Sequence, residues 1–147
     1  MNDDIAARAL VERVTSSPGY TSAVGTQVAL VERGSVHLRL ARRPDLLQFN
    51  GHFHGGVIAG LADHAAGAAV TTALPPGRIA VTVDLHVNYL SPASGEAIVA
   101  KARAVRMGAS ICVASVEVMT TADGQEQLAA IATATLRAVD LPPLQPG

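Results

Sequence analysis

Residues 54–73 form one nearly uncharged stretch, HGGVIAGLADHAAGAAVTTA, which restricts the possible folds more than any other part of the chain. Its composition predicts a helix, and LPPG ends this helix because proline cannot continue its hydrogen bonding. A helix that is apolar on nearly every side has to be buried on most sides. The rest of the chain is therefore expected to wrap around it.

Most of the remaining chain predicts antiparallel strands. TQVALVERGSVHLRLARR is expected to form a hairpin, and EAIVAKARAVRM, SICVASVEVMTT and EQLAAIATATLRAV are expected to form three further strands. Between them, RIAVTVDLHVNYL alternates strictly and predicts a long strand. One face of that strand would carry Ile79, Val81, Val83, Leu85, Val87 and Tyr89. One long central helix wrapped by a curved antiparallel sheet of about five to six strands is an α+β architecture.

The length of 147 residues is typical of a single domain, and no internal repeat divides it. We expect a short N-terminal helix over about residues 3–14 and a domain core over about 20–138. The Pro-rich tail over about 140–147 is expected to be frayed.

Composition and charge argue against several classes of protein. The net charge is −1 and the basic residues are scattered, so binding to nucleic acid through a basic face is not expected. No apolar run reaches the ~18 residues that span a bilayer, and the start of the chain lacks a signal-peptide apolar segment. The single cysteine, Cys112, rules out an internal disulfide and favours a reducing, cytoplasmic setting. His52, His54, Asp63 and His64 match no strong metal-binding motif, so neither a metal nor a cofactor is expected.

The predicted helix carries an unusual stripe. Gly56, Gly60, Asp63 and Gly67 share one side, although each internal glycine costs about 1 kcal/mol relative to alanine. Such a stripe indicates close approach, either of a thin extended ligand or of another packed element. A buried Asp63 with no Lys or Arg within helical reach is more typical of a functional carboxylate than of a structural one. Free N–H groups where HGG opens the helix suit a polarised carbonyl, so the pattern indicates acyl transfer.

QFNGHFHGG, then Asp63, then VTVDLHVNYLSPASGE resembles the phenylacetate-degradation type (PaaI-like) thioesterases of the hot-dog fold, over about residues 20–138. The resemblance implies hydrolysis of acyl-CoA, or of a related acyl-pantetheine thioester, to a free acid and a thiol. Asp63 would act as general base or nucleophile, and the backbone N–H of Gly55 would polarise the thioester carbonyl. His54 would shape the loop before the helix, and Thr82 would help to orient water. Gln48 would reach across a subunit interface toward the partner's acid.

The same resemblance suggests where the rest of the substrate binds and how the chain assembles. Arg106, and with it Arg103, would contact the phosphates of coenzyme A, while Gly56 and Asn88 would also border the substrate. Chains of this family pair so that their sheets join, which implies a homodimer or a homotetramer built as a dimer of dimers. The apolar character of the helix independently suggests burial by a second subunit.

Two other functions stay open at this point. One is a non-catalytic protein that binds acyl-CoA, and the other is a hot-dog hydratase or dehydratase. The acyl group itself is not indicated by the sequence. The scarcity of aromatic residues and the many Ala and Val side chains are compatible with a modest apolar pocket.

Overall fold

The computed structural model describes residues 2–144 and contains three α-helices and six strands in that part of the chain. A 3-10 turn at Pro44–Leu46 precedes the third helix. The helices are α1 (Asn2–Ser16), α2 (Tyr20–Ala23) and α3 (Gly55–Ala73). The strands are β1 (Gln27–Glu32), β2 (Ser35–Ala41), β3 (Arg78–Tyr89), β4 (Ala97–Met107), β5 (Ile111–Ala122) and β6 (Gln125–Asp140).

All six strands belong to one antiparallel sheet with the order β1-β2-β4-β5-β6-β3. The sheet curves around α3, whose buried side packs against a core built mainly from Ala, Val and Leu side chains of the strands. The predicted α+β fold with one long central helix and about six strands is therefore confirmed. The expected frayed tail is only partly described: β6 continues to Asp140, and residues 145–147 lie outside the described residues.

The strict alternation predicted for β3 is wrong in its first half. Thr82 pairs with Leu136 of β6 and Asp84 pairs with Thr135, so Val83 is an extra residue that forms a β-bulge. A bulge reverses which face the following side chains occupy. Val81 and Val83 are consequently exposed, whereas Leu85 lies against the core. Because of the bulge, Thr82 shares the inner face of the sheet with Leu85.

Helix α3 begins and ends where its local chemistry predicts. His54 is the N-cap, with extended backbone angles, and its Nδ1 accepts a hydrogen bond of 2.8 Å from the N–H of Gly56. At the other end, Leu74 precedes Pro75 and Pro76, which cannot continue the helical hydrogen bonds. The helix therefore presents a fixed N-terminus at Gly55.

Helices α1 and α2 lie over the side of α3 that the sheet leaves open. The hydroxyl group of Thr15 in α1 lies 2.9 Å from Nε2 of His64, and the ring of Tyr20 in α2 covers Gly60. The apolar helix therefore does not by itself require a second subunit, contrary to the expectation from its composition. In the described part of the chain, no helix is long and apolar enough to cross a membrane.

Candidate functional site

Asp63 and Thr82 form the polar centre of the site. The hydroxyl group of Thr82 donates a hydrogen bond of 2.7 Å to Oδ1 of Asp63. Helix α3 positions the carboxylate and β3 positions the hydroxyl, which faces inward because of the bulge at Val83. Oδ2 of Asp63 accepts no hydrogen bond from any of residues 2–144, so this oxygen is available to a substrate or a water molecule.

Asp63 is less enclosed than the sequence predicts. It is partly exposed, and no Lys or Arg within residues 2–144 forms an ion pair with it. Its carboxylate lines a cavity of about 140 Å³ between α1, α3 and the start of β3, which we call the inner cavity. The negative charge thus keeps some contact with solvent, and its desolvation is smaller than that of a fully buried carboxylate.

A second polar cluster surrounds the N-terminus of α3. The Tyr89 hydroxyl donates a hydrogen bond of 2.6 Å to the carbonyl oxygen of Gly55. The N–H of the same peptide group, which belongs to Gly56, is bound by His54. The Gly55–Gly56 peptide is therefore held at both ends. The N–H of Gly55 donates to no atom of residues 2–144, which leaves it as the free donor at the helix start.

Gln48 lies with this second cluster rather than with Asp63. Gln48, Gly55 and Tyr89 line an open groove of about 510 Å³, which does not include Asp63. Gly55 and Asp63 are eight residues apart on one helix, a separation of about 12 Å along the helix axis at the usual rise per residue. One thioester group cannot reach both within one chain. The sequence-based expectation that the carboxylate lies beside a carbonyl bound at the helix start is therefore wrong for a single subunit.

Three of the four predicted substrate contacts are on the far side of the sheet. Asn88 alternates with Val87 and Tyr89, which face α3, so its exposed side chain faces outward. Arg103 and Arg106 in β4 are also exposed and form no ion pair within the described residues. None of these three side chains comes near Asp63 in a single chain. Gly56 is exposed at the helix start, where its N–H is already bound by His54.

The glycine stripe has a different explanation at each position. A Cβ atom at Gly60 would lie 2.6 Å from the Tyr20 hydroxyl, so close packing accounts for that glycine. Gly67 has more room, because its nearest neighbour would be Leu136 at 3.9 Å, and it lines the inner cavity. A Cβ atom at Gly56 would lie 3.0 Å from Nδ1 of His54, so the N-cap side chain packs closely on that glycine. The stripe as a whole is therefore not a channel for an extended ligand.

His64 follows Asp63 in the sequence and has a structural partner. Its side chain is largely buried beneath α1, and burial lowers the pKa of His64 below 6.5, an effect that the charge of Asp63 partly offsets. Thr15 is the hydrogen-bonding partner of the imidazole. Within residues 2–144, no three His, Cys, Asp or Glu side chains lie close enough together to hold a metal ion.

Three contacts were not anticipated from the sequence. They are the Tyr89–Gly55 bond, the Tyr20–Gly60 packing and the Thr15–His64 bond. Tyr89 does fall in the quoted motif VTVDLHVNYLSPASGE, and its place there, in the same strand as Thr82, was the only signal that the sequence offered. The other two contacts join segments that are distant in the sequence, so no local pattern could indicate them.

Comparison with known proteins identifies the family. A sequence profile of the Thioesterase superfamily matches residues 50–127, which include Gly55, Asp63, Thr82 and Tyr89. The chain belongs to the Thioesterase superfamily. A protein of Halobacterium salinarum with a provisional esterase name is 38% identical over 122 residues, covering 80% of each chain. The 1,4-dihydroxy-2-naphthoyl-CoA hydrolase of Listeria monocytogenes is 27% identical over 118 residues, covering 80% of this chain and 94% of the relative.

Solved structures agree with this assignment. A thioesterase family protein from Silicibacter pomeroyi superposes with a TM-score of 0.87 at 28% identity, covering 91% of this chain and 98% of that one. The Escherichia coli PaaI protein, from the phenylacetic acid degradation operon, superposes with a TM-score of 0.82 over 92% of this chain and 95% of its own. At 18% identity the PaaI protein demonstrates the shared fold alone. The resemblance to hot-dog thioesterases and the enzyme class are thereby confirmed.

Proposed function

We propose that this thioesterase hydrolyses acyl-CoA, or a related acyl-pantetheine thioester, to a free acid and a thiol. The observation that carries the proposal is the Asp63 carboxylate, whose Oδ1 is held by Thr82 while Oδ2 is free at an apolar cavity. The naphthoyl-CoA hydrolase name of the Listeria monocytogenes relative supports a coenzyme A thioester as the substrate.

The arrangement suits general-base catalysis. Oδ2 of Asp63 takes a proton from a water molecule as the water oxygen forms a bond to the thioester carbonyl carbon. The carbonyl oxygen gains negative charge, which the N–H of Gly55 stabilises in the tetrahedral intermediate. The C–S bond then breaks, and the leaving thiolate takes the proton from Asp63. If Asp63 is instead the nucleophile, an acyl-aspartyl anhydride forms first and water cleaves it, with the same overall products.

The two halves of the site are expected to come from different subunits. Because about 12 Å separates Gly55 from Asp63 along α3, one thioester would meet Asp63 of one chain and Gly55 of the partner subunit. Gln48 of the partner subunit would accompany that Gly55, since the two line one groove. Strand β3, which carries Thr82, lies at an edge of the sheet, and the Val83 side chain on it is 61% exposed. An unpaired edge of this kind is able to pair with another chain, which supports this assembly.

Other parts of the proposal extend outward from this site. A homodimer formed along β3 could pair further into a dimer of dimers, as the family resemblance implies. Arg106, with Arg103 beside it, remains the candidate for the phosphates of coenzyme A, because both cations are exposed and unpaired within residues 2–144. The cytoplasmic setting also stays a prediction.

Thiol release across a panel of acyl-CoA thioesters tests the reaction. Asp63→Asn should lower kcat at least about 100-fold, the usual scale for loss of a positioned base. The melting temperature should change little, because Asp63 is partly exposed and carries no ion pair within the described residues. Near-normal turnover by the folded variant would refute the role of Asp63. Tight acyl-CoA binding with no thiol release by the native chain would favour the non-catalytic alternative.

A proline at position 55 would remove the free N–H of Gly55 and leave the rest of the backbone nearly unchanged. Proline is tolerated at the first position of a helix, and the extended backbone of His54 suits the residue before a proline. Gly55→Pro should lower kcat about 100-fold relative to Gly55→Ala, which adds a Cβ atom at the same place but keeps the N–H. Equal activity of the two variants would show that Gly55 does not polarise the carbonyl.

Co-expression of two inactive variants tests whether the site is shared. In a heterodimer of Asp63→Asn with Gly55→Pro, one site would carry both changes and the other would carry neither. The isolated heterodimer should then regain about half the native activity of a two-fold symmetric dimer. A double variant with both changes in one chain, paired with a native chain, is the control, since neither of its sites would be complete. Absence of recovery in the first pair would contradict the shared site.

A further inference from the structure

The inner cavity lies directly behind the Asp63 carboxylate. Asp63 and Thr82 form one of its walls, while α1 contributes Leu10, Val11 and Val14 to the opposite wall. Apolar side chains from α3 and β3, such as Ala68 and Ile79, complete the lining. An acyl chain attached to a carbonyl carbon at Asp63 would therefore enter a space bounded by α1.

Apart from Asp63, whose Oδ2 is free for the reaction, the polar side chains that line this cavity already have partners. Thr82 donates to Asp63, His64 is bound by Thr15, and the Thr71 hydroxyl oxygen accepts a hydrogen bond of 3.0 Å from the N–H of Ala80. An apolar group that enters the cavity consequently leaves these three side chains paired. The chemistry of the lining thus favours a hydrocarbon group over a polar one.

The size of the cavity limits which hydrocarbon groups fit. Its volume is about 140 Å³. An apolar protein cavity of about 150 Å³ accommodates a benzene molecule. On the basis of the proposed thioester hydrolysis, we propose that the inner cavity is the acyl-binding chamber and selects compact apolar acyl groups, up to about a six-carbon chain or one benzene ring in size.

Leu10 is the residue that would set this limit. Leu10 and Thr71 line both the inner cavity and a second cavity of about 440 Å³, which continues beyond Leu10 toward Arg33 and Arg78. The Leu10 side chain therefore stands between the space beside Asp63 and a larger space behind it. Removing most of that side chain would connect the two, so that a longer acyl chain could extend past α1.

The length of the acyl chain is the variable to measure. The native protein should be assayed for thiol release with straight-chain acyl-CoA thioesters from acetyl to dodecanoyl, together with phenylacetyl-CoA. Below the size limit, kcat/KM should rise by up to about fourfold per added methylene, the factor expected for burying one such group. Beyond about six carbons it should fall, with decanoyl-CoA at least about tenfold below the best substrate.

Two substitutions at Leu10 should move the optimum in opposite directions. Leu10→Ala should raise kcat/KM for decanoyl-CoA at least about tenfold, with acetyl-CoA changed less than about twofold. Leu10→Phe should shift the preference to acetyl- and propionyl-CoA. Ile5→Ala is the matched control, because Ile5 lies on the same helix but is 64% exposed, and it should leave the profile unchanged. Melting temperatures of all three variants separate these effects from unfolding of α1.

The outcomes distinguish this inference from the proposed reaction. Opposite shifts at Leu10 with a flat control support the chamber, because loss of packing alone would impair all substrates in the same direction. If folded Leu10→Ala and Leu10→Phe hydrolyse the panel with the native chain-length profile, the chamber is elsewhere and the thioesterase proposal is unaffected. If the native protein releases no thiol from any member of the panel, the proposed reaction itself is wrong.

Discussion

Replacing Tyr89 with phenylalanine removes one hydroxyl group from the helix start and leaves the aromatic ring in place. That hydroxyl donates to the carbonyl oxygen of Gly55, at 2.6 Å. The N–H of the same peptide is bound by His54, so the hydroxyl is one of two fixed ends of the Gly55–Gly56 peptide. We expect Tyr89→Phe to loosen the orientation of the helix start while the packing of the ring against Gly55 stays.

The magnitude follows from the exposure of Tyr89. A neutral hydrogen bond contributes about 0.5–1.5 kcal/mol net, and Tyr89 is 54% exposed, so water can replace part of this bond. We take about 0.5 kcal/mol for the loss of stability, which lowers the melting temperature by about 1–2 °C for a chain of this size. Loss of a complete oxyanion donor lowers kcat about 100-fold or more. Since the Gly55 N–H remains and only its orientation is loosened, we expect a three- to tenfold decrease, roughly, in kcat.

The assay is thiol release at saturating and limiting acyl-CoA, so that kcat and KM are separated. The orientation of an oxyanion donor acts in the transition state, so kcat should fall while KM changes by less than about twofold. Tyr20→Phe is the matched control. It is the other tyrosine of the chain, and its hydroxyl lies over Gly60 of the same helix without contacting Gly55.

Equal kcat values for Tyr89→Phe and the native protein would refute this reasoning. So would a similar loss in Tyr20→Phe, because that result would indicate a general effect of hydroxyl groups packed on α3. A large rise in KM with unchanged kcat would instead place Tyr89 in substrate binding.

Two further predictions concern the neighbours of Asp63. Thr82→Val should lower kcat about tenfold, whereas Thr82→Ser should retain most of the native kcat, because only serine keeps a hydroxyl group that donates to the carboxylate. Thr82 is exposed, so we take the low end of the free-energy range for a hydrogen bond to a charged group. Burial lowers the pKa of His64 in the folded state. Below about pH 6.5 the unfolded chain therefore binds more protons than the folded chain does. The free energy of unfolding consequently falls as the pH decreases from that value toward the lowered pKa. The urea midpoint should therefore be lower at pH 5 than at pH 7.5, and His64→Gln should reduce the difference. A residual fall is expected from His37, whose pKa is also lowered by partial burial. An unchanged pH dependence in His64→Gln would contradict the assignment.

Much of the fold could be predicted from local patterns. The apolar stretch and the prolines after it predicted a helix over residues 54–73, and α3 runs over Gly55–Ala73. Hydrophobic alternation and turn residues likewise located the hairpin and the later strands to within a few residues. These features depend on the next two to four residues of the chain, which the sequence contains directly. Asp63 and Gly55 stood out for the same reason, as a charge and a free N–H in a helix that offers no local partner for either.

The direction of individual side chains needed the neighbouring strand. Alternation within β3 alone placed Val81, Val83 and Leu85 on one face. The pairing with β6 inserts Val83 as a bulge, and this insertion turns Thr82 toward Asp63. A bulge is a property of two paired strands, so it cannot be read from one of them.

The sequence by itself predicted α1, α3 and most strand positions, and it singled out Asp63 and the helix start at Gly55 as candidate catalytic groups. Only the tertiary structure decided how those groups are distributed. It places Thr15 against His64, 49 residues apart, so that α1 covers the open side of α3 and bounds the inner cavity. It also keeps Gln48 with Gly55 and apart from Asp63. The physical reason is that contacts between residues distant in the sequence form only when whole helices and strands pack together. The local sequence around either residue therefore does not specify its partner.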